Sequence, residues 1–156
     1  MYQCPHAFPV VYVLDAGDEF DAPREVVWEF VGSPPHHSGA HQHRATDRRR
    51  ISERVGEYSW EQDFDGAPAR FTMRWTVFPP VGIAYEVLEG PFTGSVFFLY
   101  YEPRGDRTAV TVAGEFVSPT LPAAEIAAAV DRFFSIEFRQ DHEGIRWFCQ
   151  EKAGGR

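Results

Sequence analysis

Four of the six histidines crowd into eight residues, His36, His37, His41 and His43 of HHSGAHQH. Imidazoles a few positions apart on an irregular segment can converge on Zn or Fe(II) if a third ligand arrives from elsewhere in the chain. An exposed histidine-rich loop has the same composition, so the spacing alone leaves both readings open. Two carboxylates are equally out of place. Glu137 and Asp141 fall within a helical stripe otherwise made of Ile126, Val130, Phe133, Phe134, Phe138, Ile145 and Phe148. A carboxylate carried into an apolar interior loses hydration, so each must meet an arginine, a hydrogen-bond donor, cavity water or a metal. Without a metal, a loop histidine such as His41 could exchange protons, with Glu137 or Asp141 as its paired acid or orienter. No nucleophile motif competes with this chemistry. The chain has no GxSxG and no phosphate-cradling glycine loop, and neither Cys4 nor Cys149 has a defined activating partner.

The elements that must position these groups can be read along the chain. Val10 to Phe20 opens as a β-branched, aromatic strand. FDAPREVVWEFV, residues 20–31, follows as a short amphipathic helix, with Pro23 suited to its first turn and Val26, Val27, Phe30 and Val31 at helical spacing. Gly32-Ser33-Pro34-Pro35 ends it, and the stretch to Ala45 reads as a loop or broken helix. An antiparallel meander is expected next, over Ile51 to Val55, Tyr58 to Phe64, Arg70 to Phe78, Val81 to Leu88, Thr93 to Tyr101 and Thr108 to Val117. Gly56, Asp65-Gly66, Pro79-Pro80, Gly90-Pro91 and Gly105-Asp106 supply the turn signals between them. Phe71, Met73, Trp75 and Val77 share one face of their strand, which argues that Arg74 points the other way. A long helix from Ala123 to about Glu151 closes the chain. Its apolar stripe needs a large partner surface, and the sheet is the one available.

Composition narrows the function. The 156 residues carry 15 Lys+Arg against 23 Asp+Glu, a formal charge of -8 that argues against nucleic-acid binding. The basic run from Arg44 to Arg50 reads as solvated surface. No apolar run approaches the roughly 20 residues of a membrane-spanning helix. The first residues lack the basic-then-apolar pattern of a secretory leader, and the two cysteines form no disulfide framework, so a cytoplasmic single domain over residues 1–156 is expected. With Phe present 14 times, Tyr 6 and Trp 4, the aromatic content exceeds what a simple core of this size needs. Tyr58, Trp60, Met73, Trp75, Tyr85 and Phe98 from the strands, with Phe133 and Phe134 from the helix, are candidates to line a pocket.

The order strand, short helix, broken helix, meander and long helix resembles the START/Bet v 1-like (SRPBCC, polyketide cyclase/dehydratase-like) helix-grip superfamily. FDAPREVVWEFV, EGPFTGSVFFLYYEP at 89–103 and the terminal amphipathic helix carry the likeness, which covers essentially the whole chain. The resemblance implies an α+β helix-grip fold, with a curved seven-stranded antiparallel sheet wrapped around the C-terminal helix and an apolar cavity between them. It also implies a small hydrophobic or aromatic molecule as partner, handled by a cyclase, an aromatase or a noncatalytic carrier. Fold alone does not choose among these. A monomer or homodimer is expected.

The spacing His36-x4-His41 is similar to the two-histidine element in the catalytic domain of Rieske-type ring-hydroxylating oxygenases, which share this fold. That likeness implies Asp141 as third ligand, a metal site of His36, His41 and Asp141, with His37 as the alternate register, and an external electron donor. The chain departs from the pattern, because Gly32-Ser33-Pro34-Pro35 stands where that family has Asn and Asp, and no Rieske cluster motif is present.

Overall fold

Five consecutive hairpins and one long helix account for most of the regular structure among the described residues. The computed structural model describes residues 9–33, 36 and 45–154. Its elements run β1 (Val11–Phe20), α1 (Arg24–Val31), β2 (Ala45–Arg50), β3 (Val55–Phe64), β4 (Ala67–Phe78), β5 (Gly82–Glu89), β6 (Val96–Arg104), β7 (Arg107–Phe116) and α2 (Ala123–Gly154). The seven strands form one antiparallel sheet in the order β1-β7-β6-β5-β4-β3-β2. Strands β2 to β7 are a meander, and β1 pairs with β7 at the far edge. This is the expected α+β helix-grip architecture.

Local chemistry sets the corners. Asp65 and Gly66 both have positive φ, 51° and 84°, the backbone of a tight hairpin whose twist matches its strands. The Asp63 carboxylate accepts the Gly66 N–H at 2.8 Å and holds that turn closed. Ser95, fully buried between β5 and β6, both donates to the Val117 carbonyl and accepts the Val117 N–H. Helix α1 starts on the Pro23 carbonyl, which accepts from Val26 and Val27.

Two expectations about the meander need correction. The strand expected at Ile51 to Val55 lies earlier, at Ala45–Arg50, while residues 51–54 form its turn, with the Ile51 and Ser52 N–H groups on the Val55 carbonyl. Thr46 to Arg50 are all exposed on an edge strand, so neither face shows the apolar alternation that would mark a strand in the sequence. Gly56 is not a turn residue but lies within β3.

The concave side of the sheet meets α2 through interlocked rings. Phe133 stacks on Phe71, Phe134 stands edge-on to Phe97, and Phe92 meets both Phe116 and Phe133 edge-on. Ile126, Ala129, Val130, Phe138 and Ile145 complete the buried stripe of the helix. Among the described residues no helix is long and apolar enough to cross a membrane.

Candidate functional site

The ring core does not fill the whole interval between sheet and helix. A cavity of about 510 Å³ opens against β2 to β5, bounded by the C-terminal end of α1 and by Glu137 of α2. Its aromatic wall is Trp28, Tyr58, Trp75 and Tyr85, with Val31, Val77 and Ile83 supplying aliphatic surface. Trp75 owes its position to Gly56, its cross-strand neighbour. A Cβ at Gly56 would come within 2.3 Å of the Trp75 ring, so only glycine lets the indole lie across β3.

Polar groups on this apolar surface are few and clustered. His36 lines the cavity and packs edge-on against Phe30, 5.1 Å between ring centres. Its Nε2 lies 3.1 Å from Oδ1 of Asp141, and both side chains are largely buried. A carboxylate receiving the Nε2–H would fix the tautomer whose basic lone pair is on Nδ1. Glu137, one helical turn before Asp141, lines the cavity beside the tyrosines.

Burial pushes the Tyr58, Tyr85 and Tyr101 phenols well above the ordinary range. Neighbouring tyrosines and the Glu137 and Asp141 carboxylates push Tyr58 further. Asp141 and then Glu137 do the same to Tyr85, and Tyr85 and Asp141 to Tyr101. The phenols therefore stay protonated, and Tyr58 and Tyr85, which line the cavity, can each donate a hydrogen bond. A negative charge developing on a ligand oxygen would find neutral donors already in place.

The candidate residues separate clearly by position. Tyr58, Trp75 and Tyr85 line the cavity, as do His36 and Glu137, and Asp141 reaches it through His36. Trp60, Met73, Phe133 and Phe134 are buried in the packed core instead, Trp60 sandwiched between Tyr58 and Phe71 at 5.0 Å from each. Phe98 stands on the opposite, convex face against Phe78, because the inward positions of β6 are Phe97, Leu99 and Tyr101. Arg74 is also convex, bonded to Glu57 and Glu86. His37 and His41 lie outside the described residues. Among the described residues no group of three or more His, Cys, Asp or Glu side chains is placed to hold a metal. His36 and Asp141 supply two donors, which by themselves do not make a metal centre.

Sequence reasoning missed Trp28, which presents its ring from α1, and the arginines of β2 that border the cavity. The helical spacing of FDAPREVVWEFV could have marked Trp28. Nothing local marks Arg48 and Arg50, since their role depends on β2 pairing with β3.

No protein-family model matches the chain, and no curated protein sequence matches it. Solved structures do. The Zhui aromatase/cyclase from a Streptomyces species superposes with a TM-score of 0.66 at 15% identity, over 95% of this chain and 97% of that one. The di-domain ARO/CYC StfQ from the steffimycin biosynthetic pathway gives a TM-score of 0.69 at 12% identity, over 93% of this chain and 52% of that one. A START superfamily protein from Mycobacterium smegmatis gives 0.66 at 13% identity, over 88% and 97%. At such identities the likeness is one of fold, and with the sheet order, the two helices and the cavity between them, this chain has the helix-grip fold that these structures share.

Proposed function

We propose that this protein takes a small hydrophobic or aromatic molecule into the cavity and acts on it as a cyclase- or aromatase-type enzyme by proton transfer. The observation that carries the reading is the placement of protonated Tyr58 and Tyr85, Glu137 and the Asp141-bonded His36 on one aromatic-walled cavity. The similar folds of aromatase/cyclases support the same class.

The residues suit an intramolecular aldol condensation. Glu137 or His36 takes a proton from a carbon flanked by carbonyls, and the enolate carbon bonds to a second carbonyl carbon of the same molecule. The new alkoxide is reprotonated, and a hydroxyl then leaves as water with a second carbon-bound proton. No electrons are gained or lost overall, so no oxidant is needed. Tyr58 and Tyr85 hydrogen-bond the enolate oxygen, and Asp141 orients His36.

The test is turnover of an aryl-substituted polyketone, followed by chromatography of the cyclised product. Wild-type protein is expected to exceed buffer, and Glu137→Gln and His36→Gln each to fall at least about tenfold while still binding a neutral aromatic probe. Variants as active as wild type would remove the acid–base assignment. Probe binding without turnover would point to a noncatalytic carrier.

A second reading has one observation in its favour, the adjacency of His36 and Asp141. Here the two residues, with His41, would hold Fe(II) or Zn. Metal analysis of tag-free protein prepared without chelator decides it. About one metal per chain, lost in Asp141→Asn, supports this reading, and no retained metal after anaerobic loading rejects it.

A further inference from the structure

In a chain of net charge -8, the mouth of the cavity is bordered by three consecutive arginines, Arg48 to Arg50. Their placement follows from strand pairing. Arg48 is directly opposite Tyr58 and Arg50 directly opposite Gly56, so both share the concave face that those residues present. Arg49, opposite Glu57, belongs to the convex face.

Arg50 is held in place by uncharged groups. Its Nε donates to the Ser52 carbonyl at 3.1 Å, and an Nη donates to the Glu53 carbonyl at 3.4 Å. Main-chain carbonyls orient the guanidinium without cancelling its charge. The two glutamates at this rim do not take that role. Glu57 is bonded to Arg74 at 2.7 Å, and Glu53 offers Arg50 its carbonyl. A planar, oriented guanidinium beside an aromatic wall suits a carboxylate or sulfonate attached to a ring system.

We propose that the ligand is an anionic aromatic molecule, its ring body against Trp75 and Tyr58 and its carboxylate or sulfonate at Arg50, with Arg48 adding to the field. This rests on the reading of the cavity as a ligand site and adds the ligand's charge and orientation. It also accounts for an arginine-rich edge strand at the cavity mouth of an otherwise acidic protein.

The test compares two fluorescent probes of nearly the same shape, anilinonaphthalene sulfonate and its uncharged analogue phenylnaphthylamine. Both are titrated into full-length wild-type protein, Arg50→Gln and Arg48→Gln. The sulfonate is expected to bind wild type about tenfold more tightly than the neutral probe, with the advantage shrinking as salt is added. In Arg50→Gln that ratio falls toward one, and in Arg48→Gln it falls part of the way. Arg50 is exposed, so its substitution tests charge with little risk to folding. Equal binding of the two probes to wild type, or a ratio unchanged in Arg50→Gln, would overturn the assignment while leaving the cavity reading intact. Failure of both probes to bind would overturn the cavity reading and this inference together.

Discussion

His36 and Asp141 are 105 positions apart in the chain, and the fold brings Nε2 of one to 3.1 Å from Oδ1 of the other. The pair joins the segment after α1 to the concave face of α2, next to the cavity. Asp141→Asn keeps the shape of the side chain and removes its charge. The expected cost is about 1–2 kcal/mol in denaturant titration, the difference between a charged and a neutral hydrogen bond. Nitrogen NMR of His36 should show the proton on Nε2 in the wild type and a tautomer mixture in the variant. An unchanged spectrum would mean that Asp141 does not set the tautomer.

Gly56 tests how the cavity wall is built. In Gly56→Ala the new methyl would overlap the Trp75 ring, and the Arg49 carbonyl is only 3.1 Å from the same point. Overpacking of this kind costs about 1–3 kcal/mol. Displacement of the indole should also shift tryptophan fluorescence and weaken binding of a neutral aromatic probe. Wild-type stability and affinity together would show that Trp75 is free to move aside.

The tyrosines make a pH prediction with a definite sign. An unfolded phenol titrates near about 10, whereas burial holds Tyr58, Tyr85 and Tyr101 well above that value. Between the two values the folded chain binds more protons than the unfolded chain. Stability contributed by these groups is therefore present below pH about 10 and is lost as pH rises through the folded values. Phenolate absorbance of the native protein should show these three tyrosines titrating late, and Tyr85→Phe should remove one of them. Simultaneous titration of all six tyrosines in the folded state would contradict the arrangement.

Phe133 and Phe98 separate the packed core from the convex surface. Phe133 is 7% exposed among Phe71, Phe92 and Phe134, so Phe133→Ala should cost about 3–5 kcal/mol. Phe98 meets Phe78 on the outer face, and Phe98→Ala should cost about 0.5–1 kcal/mol without altering probe affinity. Thermal unfolding of both variants, with a probe titration of Phe98→Ala, checks the assignment of faces.

The architecture was legible because its signals are local. Alternation in Phe71, Met73, Trp75 and Val77, the Asp65-Gly66 turn and the helical stripe from Ile126 to Phe148 each arise from the period of one element. The same periodicity exposed Glu137 and Asp141 as misfits, and both lie at or beside the cavity. Strand β2 was illegible because an edge strand with both faces in water has no apolar period.

Which aromatics fill the core and which border empty space is another matter. Trp60 and Trp75 both face inward, yet Trp60 is locked between Tyr58 and Phe71 while Trp75 lies at the cavity over Gly56. Sequence alternation gives both residues the same face and cannot tell them apart. Their difference comes from the spacing between sheet and helix, which exists only once the whole sheet has closed on α2. The same is true of Arg48 and Arg50. The sequence by itself determined an antiparallel meander, a long amphipathic helix that must cover it, and two carboxylates on the inward stripe of that helix. Tertiary pairing alone decided that a histidine meets one carboxylate and that a basic edge strand becomes the rim of an aromatic cavity.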